Sequence, residues 1–277
     1  MVATTSSTGE GWSSRTAFIL AAVGAAVGLG NIWRFPTLAG ESGGGAFVIV
    51  YIACVFLLGL PLVLSEIFIG RVGQTDAIGS IRRVAAQSQA SPGWSVFGAV
   101  GALAAFLIVA FYSVVAGWVL YYVGVMGSDL AQAIMAGDPF RGALAGESRE
   151  QIQQRLGDMF ANPGLLLAVH FLFMGLTLYI VARGVSSGIE KAATYLMPVF
   201  FVLLVGLVIY GAIEGDIGDA AAFLFTPDWS KLTPEVMNSA LGQALFSLSL
   251  GVAGLITYGS YIKEGSALGP TAAVIAI

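Results

Sequence analysis

The sequence predicts an all-α integral membrane fold of six membrane-crossing helices and the start of a seventh, with the first and sixth helices broken. Three observations predict it. First, 57% of the 277 residues are hydrophobic and only 10% are charged, against about 25% charged in an average soluble domain. That is too little charge to cover a water-exposed surface. Second, the apolar residues fall in uncharged runs close to or above the roughly 20 helical residues that a bilayer core requires. Third, the first and last of these runs carry glycine clusters inside what would otherwise be continuous helix. The same composition excludes disorder, and the 37 glycines follow no triplet period, which excludes collagen. A net charge of −4 with no basic run argues against a nucleic-acid partner. Cys54 is the single cysteine and His170 the single histidine, so no internal disulfide and no Cys/His metal cluster is expected. The residues ahead of the first run carry one Glu and one Arg instead of a basic leader, so no cleavable signal peptide is expected.

The uncharged runs are 16–33 (18 residues), 42–65 (24), 84–128 (45), 159–182 (24), 192–213 (22) and 236–262 (27). The first is short, but it becomes a span if Arg34 faces a cavity and residues 35–40 extend it. The third opens on QSQASPGW, a polar turn with Pro92, so one long helix is expected over 93–126. Residues 265–277 number 13 and read as the start of a seventh helix. Lys and Arg set orientation. With the N-terminus cytoplasmic, Arg15, Arg71, Arg82, Arg83, Arg183, Lys191 and Lys263 lie inside, and Arg34, Arg141, Arg149, Arg155 and Lys231 outside. The expectation is a multi-pass protein of the cell membrane with its N-terminus in the cytoplasm. Among the connections, 73–90 reads as an inner-surface helix with Arg82 and Arg83 toward lipid headgroups. The stretch 128–158 reads as a weakly helical external cap, and in 214–235 Pro234 suits the first turn of the next helix.

The glycine clusters carry the functional argument. The first run holds Gly24-Ala-Ala-Val-Gly28-Leu-Gly30-Asn31, and the sixth holds Ser247-Leu-Ser249-Leu-Gly251-Val-Ala-Gly254. Each interior Gly costs a helix about 1 kcal/mol relative to Ala, and unwound backbone at membrane depth persists only where it lines a cavity or is buried in protein. Freed carbonyls there can hold a bare cation, while half-helix N-termini attract an anion. A pair of glycine-interrupted spans is thus the sequence pointer to a transporter's binding site. Gly24-x-x-x-Gly28 is equally a helix-packing pattern, and for that segment alone packing is the better reading. Asn31 and Arg34 at the same depth tip the balance, because polar groups inside a membrane are costly and tend to be functional. Gly28-Leu-Gly30 lacks the third glycine and the preceding strand of a dinucleotide fingerprint.

These residues extend into recognisable motifs. Gly28-Leu-Gly30-Asn31-Ile32-Trp33-Arg34-Phe35-Pro36, followed by Gly40-Glu41-Ser42-Gly43-Gly44-Gly45-Ala46-Phe47, closely resembles the signature of the neurotransmitter:sodium symporter family. So do Gly59-Leu-Pro61, Glu66, Gly70-Arg71, Tyr112 to Trp118, Arg183-Gly-Val-Ser-Ser-Gly188-Ile-Glu190-Lys191, and Gly242-Gln243 to Gly251, in colinear order from about Trp12 to Lys263. The resemblance implies the first half of the inverted-repeat, leucine-transporter-like fold, prokaryotic in type. Residues 1–13 would form a cytoplasmic tail, 14–213 the first five-helix repeat, and 214–277 an external loop, the sixth helix and the start of the seventh. It implies a sodium-coupled symporter and no enzyme, importing a small amino acid-type substrate by alternating access.

The resemblance also implies the site. One Na+ would be held by the Ala26 carbonyl, the Asn31 side chain, Ser247 and the substrate carboxylate, and a second by the carbonyls of Gly24 and Val27. The substrate carboxylate would meet the amides of Leu29 and Gly30 and the Tyr112 hydroxyl. Its ammonium would meet carbonyls of Ala26, Phe246 and Ser247, with Ser249 nearby. Ile108, Phe246 and Val252 would line the side-chain pocket. Gly28 stands where amine-transporting relatives carry an Asp, so the substrate should bring its own carboxylate. Arg34 with Gln243 resembles the outer gate, Tyr112 and Phe246 the lid, and Trp12 with Tyr261 the inner gate. The sequence departs from the family at Gly9, where the inner-gate arginine stands. Glu66 is expected to be a structural intramembrane carboxylate bonded to backbone near the first helix, and His170 a packing residue. As written, the chain reads as a fragment lacking helices 8 and 10. Two other readings stay open: a half-transporter acting as a homodimer or regulatory membrane subunit, and a channel or unrelated membrane enzyme.

Overall fold

In the computed structural model, the described residues are 11–138, 144, 147–262 and 267–276, and among them every regular element is helical. The chain divides into two compact units, one of residues 1–105 with 183–277 and one of residues 106–182. Lys263 and Gly9 lie outside the described residues.

The first unit opens with α1 (Arg15–Ala26), whose start is fixed by the Ser14 side chain accepting the Ala17 amide at 3.1 Å. A π-helical turn over Gly30–Arg34 leads into α2 (Phe35–Glu41), and the two helical pieces are bent by 55° at the break between them. Next come α3 (Gly45–Cys54), a π-helical turn over Val55–Gly59, and α4 (Leu60–Gly73), which together make one apolar stretch over Gly45–Gly73. The chain then turns through Gln74 in left-handed conformation into α5 (Ala77–Gln87), capped by Asp76 accepting the Gly79 amide at 3.0 Å. That amide bond is the main reason the Asp76 carboxyl titrates below its ordinary range. Pro92 opens a single 3-10 turn, and α6 (Val96–Met135) follows as one 40-residue helix that passes into the second unit.

In the second unit, α7 (Arg149–Phe160) starts on a capping box in which Ser148 and Gln151 satisfy each other's amides. Arg155 pairs with Glu147 there and holds its carboxyl low. α8 (Pro163–Val181) runs back with Pro163 in its first turn. His170 packs by its backbone against Gly117 and by its ring against Phe171, with centroids 5.6 Å apart.

The first unit resumes with a π-helical turn over Val185–Ile189, α9 (Glu190–Glu214) with Pro198 inside it, and the short α10 (Ile217–Phe225). α11 (Pro234–Ser247) and α12 (Gly254–Ser260) follow, then α13 (Leu268–Ala276) where the start of a seventh helix is expected. Among the described residues, four helical stretches can cross a membrane by length and composition, and the bent first pair, taken as one span, makes a fifth. The expected sixth span is two helices of 14 and 7 residues separated by residues 248–253, neither half long enough alone. The cause is local: Ser249, Gly251 and Ala253 have φ of 52°, 79° and 60°, a left-handed conformation that cannot continue a right-handed helix. The most apolar 18-residue windows of α8 and of 185–214 bury none of their residues within the structure. So large an apolar surface is tolerable against lipid and not against water.

The core of this unit joins α1, α4, α11, α12 and α13 through Phe18, Ile67, Ala244, Leu255 and Ile275, with Trp12 ahead of α1 packed among them. Its tightest contact is α4 on α12. A Cβ added to Gly70 would lie 1.9 Å from the Ile256 carbonyl oxygen, and one added to Gly259 would lie 2.6 Å from the Ile67 carbonyl oxygen. Backbone meets backbone here, as small residues allow in membrane helix pairs. Gly70→Ala should therefore lower stability by about 3 kcal/mol, read as a lower aggregation midpoint of the detergent-solubilised protein, whereas Gly40→Ala, with open space at its Cβ, should be nearly neutral. A second expectation concerns Asp76. Because its folded pKa is depressed, its contribution is complete above the unfolded carboxylate range and is lost as pH falls through the folded value. Asp76→Ala should cost about 1 kcal/mol at pH 7, and Asp76→Asn should keep the cap without that pH dependence, both checked by thermal unfolding at pH 7 and pH 3.

Candidate functional site

The site is built where the first and last apolar runs lose their helical ladder. In α1 the ladder ends with the Val27 amide donating to the Val23 carbonyl at 2.8 Å, and it resumes with the amides of Asn31 and Ile32 both donating to the Gly28 carbonyl, at 3.0 and 3.2 Å. The carbonyls of Gly24, Ala25, Ala26 and Val27 are thereby released from the ladder. The amides of Leu29 and Gly30 stand at the head of the resumed helix, ahead of its first donors. That juxtaposition offers oxygens to a cation and N–H groups to an anion within one turn of chain.

Asn31 answers part of this release. Its Nδ2 donates to the Ala26 carbonyl at 3.2 Å, while its Oδ1 is buried with no partner. From the other run, Gln243 is fully buried and its Nε2 donates to the Gly30 carbonyl at 2.8 Å and to Ser247 Oγ at 3.1 Å, leaving Gln243 Oε1 buried and unpartnered. Ser249 Oγ donates to the Ala25 carbonyl at 2.8 Å. Gly30 has room for no side chain, because an added Cβ would lie 2.4 Å from the Phe246 ring. Arg34 lies over the other part of that ring, its guanidinium carbon 5.4 Å from the centroid, a cation–π arrangement. An unpaired buried carboxamide oxygen costs about 1–3 kcal/mol. One of them, Asn31 Oδ1, sits on the side chain that bonds the released Ala26 carbonyl, and the other on the side chain that bonds Gly30 and Ser247; uncharged oxygens of this kind suit a hard cation.

The structure thus brings together Ala26, Gly30, Asn31, Arg34, Gln243, Phe246, Ser247 and Ser249. Gly24 and Val27 sit on the same released turn, with Gly24 packed against the Met197 side chain of α9. Leu29 and Val252 are half-buried beside their breaks. Ile108 and Tyr112 belong to the second unit, where the Tyr112 ring lies 5.9 Å from that of Phe111. Gln243 contacts Gly30 and Ser247, and Arg34 contacts Phe246.

Three features differ from the sequence reading or were missed by it. Glu66 bonds backbone, but at the sixth run: its Oε1 accepts the Gly251 amide at 2.8 Å. The reason is that Gly251, in left-handed conformation, presents its N–H outside any ladder. Trp12 is buried, and its Nε1 donates to the Tyr258 carbonyl at 3.0 Å with the two rings 5.4 Å apart; Tyr261 packs against the same core cluster. Sequence reasoning missed the tether beside it. The Ser13 amide donates to Glu190 Oε2 at 2.9 Å, the Ser13 hydroxyl donates to Oε1, and Ser186 Oγ donates to the Gly11 carbonyl at 2.9 Å. Glu190 was visible in the Arg183–Lys191 motif, but its partner lies 177 positions away, beyond any local signal.

Comparison with known proteins agrees with this geometry. The chain matches the sodium:neurotransmitter symporter family over residues 9–132 and 149–277. It is 38% identical over 266 residues to an uncharacterized sodium-dependent transporter of Bacillus subtilis, covering 96% of this chain and 55% of that protein. It is 28% identical over 279 residues to the human sodium-dependent neutral amino acid transporter SLC6A17, covering 91% of this chain and 36% of that protein. The crystal structure of MhsT in complex with L-phenylalanine superposes with a TM-score of 0.81 at 45% identity, over 97% of this chain and 57% of that one. The chain spans about half the length of the bacterial relative it matches. From the motifs, the two helix breaks and these matches together, the chain belongs to the sodium:neurotransmitter symporter family, a family of sodium-dependent transporters and not of enzymes.

Proposed function

We propose that the intact protein is a sodium-coupled symporter importing an amino acid-type substrate by alternating access, with Na+ and substrate bound at the breaks of the first and sixth spans. The observation that carries this reading is Asn31 on the released turn, its Nδ2 on the Ala26 carbonyl and its Oδ1 buried without a partner, with a second unpartnered oxygen, Gln243 Oε1, on the side chain that bonds Gly30 and Ser247. The Ala26 carbonyl, Asn31 Oδ1 and Ser247 would take one Na+. The Gly24 and Val27 carbonyls would contribute to a second. Na+ and substrate are then mutually dependent, because the substrate carboxylate completes the first ion's oxygen shell while the Leu29 and Gly30 amides hold its other face.

Substrate class follows from charge. The cradle has no acidic side chain at Gly28 to pair a lone ammonium, so a substrate with its own carboxylate is favoured over an amine. The L-phenylalanine bound to MhsT and a neutral amino acid transporter among the relatives support the same class. The ammonium would meet the Ala26, Phe246 and Ser247 carbonyls with Ser249 nearby, and Ile108, Phe246 and Val252 would line the side-chain pocket. Tyr112 and Phe246 serve as the lid and Arg34 with Gln243 as the outer gate, while Trp12 and Tyr261 close the inner end of a chain whose N-terminus is cytoplasmic. Residues 14–213 act as the first five-helix repeat, and the first and sixth spans hinge at their breaks.

Two experiments on the intact protein in proteoliposomes test this. Uptake of radiolabelled neutral amino acids should require an inward Na+ gradient, and Asn31→Leu should raise the half-saturating Na+ concentration about tenfold or more, as the loss of a charge-assisted contact worth about 1.5–3 kcal/mol requires. Uptake that proceeds equally in K+ would overturn the proposal. Separately, Gly30→Ala should reduce uptake at least about tenfold by forcing Phe246 aside, and adding Phe246→Ala should recover part of it. Additive losses in the double variant would show that the Gly30–Phe246 contact is not what limits transport.

A further inference from the structure

Beside the core of the first unit, α5 leaves an apolar groove. Ile81, Val84, Ala85 and Ser88 share one face of this helix at helical spacing, and with Ile69 of α4 and Trp94 of the following turn they line a cavity of about 230 Å3. Ser88 is the polar exception among these six side chains, so water in the groove would find few partners. The groove lies at the ends of two membrane-length stretches, Gly45–Gly73 and Pro92–Met135, at the depth where the hydrocarbon gives way to headgroups. Trp94 and Phe97 stand there with 55% and 63% of their surface exposed, stacked with centroids 5.5 Å apart, as aromatic residues do at a bilayer interface.

The charges beside it are of one sign. In the stretch 71–95 the basic residues are Arg71, Arg82 and Arg83 and the acidic residue is Asp76, whose carboxylate is committed to capping α5. Arg83 turns back and donates from Nη1 to the Gly73 carbonyl at 2.6 Å. Arg82, next to the groove-lining Ile81 in the chain and about 100° around the helix from it, is exposed and has no hydrogen bond or ion pair among the described residues. An apolar trough at interfacial depth with an uncommitted guanidinium on its rim matches a molecule that is apolar along one part and anionic at one end. We propose that the α5 groove is a binding site for an anionic phospholipid, an acyl chain lying along Ile81, Val84, Ser88 and Trp94 and the headgroup phosphate meeting Arg82. The proposal does not depend on the symport reading, since it concerns the lipid-facing side of α5 and none of the residues at the helix breaks.

The test uses the intact protein in vesicles of phosphatidylcholine carrying trace phosphatidylglycerol or trace phosphatidylcholine with a photoreactive diazirine in the acyl chain. Labelled peptides are mapped by mass spectrometry, with the exposed face of α9 as the background of ordinary lipid contact. The phosphatidylglycerol probe should label the peptide spanning residues 77–95 about fivefold more than the phosphatidylcholine probe, the preference that one basic residue at an anionic surface supports. Arg82→Gln should erase the preference and Arg82→Lys should keep it. Ser88→Trp, at an exposed position that fills the groove without disturbing the core, should bring labelling by both probes down to background. Equal labelling by the two probes in the unaltered protein would overturn the proposal in favour of ordinary annular lipid. Background-level labelling of 77–95 would overturn it by showing that protein covers the groove, and labelling unchanged by Ser88→Trp would show that the contact lies elsewhere.

Discussion

Inside a bilayer a backbone carbonyl or amide has no water to turn to, and this constraint governs the whole arrangement around the two broken runs. Each break leaves polar groups that its own helix cannot satisfy; the sixth run supplies those of the first, and α4 supplies the sixth. Ser249 reaches the Ala25 carbonyl, Gln243 reaches the Gly30 carbonyl, and Glu66 of α4 takes the amide of Gly251. Neither break could persist alone at this depth. Their pairing leaves a small surplus of buried oxygen, and that surplus is the chemical content of the site.

The breaks also need rigid neighbours. α4 supplies one, by lying so close to α12 that Gly70 and Gly259 sit against opposing carbonyls. The same helix carries Glu66 to the Gly251 amide, so a packing contact and a polar contact fix the second half of the sixth run from one side. On the other side, α1 packs through Phe18, Ala21 and Ala22 into the core that holds Leu255 and Ile275. Close packing of this kind admits a few discrete arrangements and resists continuous deformation, which is the property a two-state gate requires.

At the end of α1 away from its break, a short segment is pinned by three different interactions. Trp12 is buried with its N–H on the Tyr258 carbonyl, Ser13 gives two hydrogen bonds to the buried Glu190 carboxylate, and Gly11 accepts from Ser186. The contacts tie α1 to the starts of α9 and the end of α12 at once. Motion of α1 about its break therefore has to release this cluster, which couples the helix break to the far end of the helix.

Much of this was legible without coordinates. Hydropathy and charge determined a helical membrane protein, because no other fold can hide so many apolar residues with so few charges. Gly28, Gly30 and Gly251 marked the breaks because glycine weakens a helix wherever it stands, and Pro92 and Pro234 marked helix starts by the same local logic. Motifs around Asn31 and Gln243 singled out two side chains that the structure places at the breaks. What the sequence by itself could not determine was which group answers which. That Glu66 serves Gly251 and not the first helix, that Ser13 finds Glu190, and that Gln243 spends its amide on Gly30 are pairings across 185, 177 and 213 positions. They exist only once packing has brought the elements together, and no propensity or spacing along the chain encodes a partner that far away. The division of the sixth run begins locally, at Ser249, Gly251 and Ala253 with their positive φ, but the group that answers its freed amide, Glu66 at Gly251, is supplied only by tertiary packing.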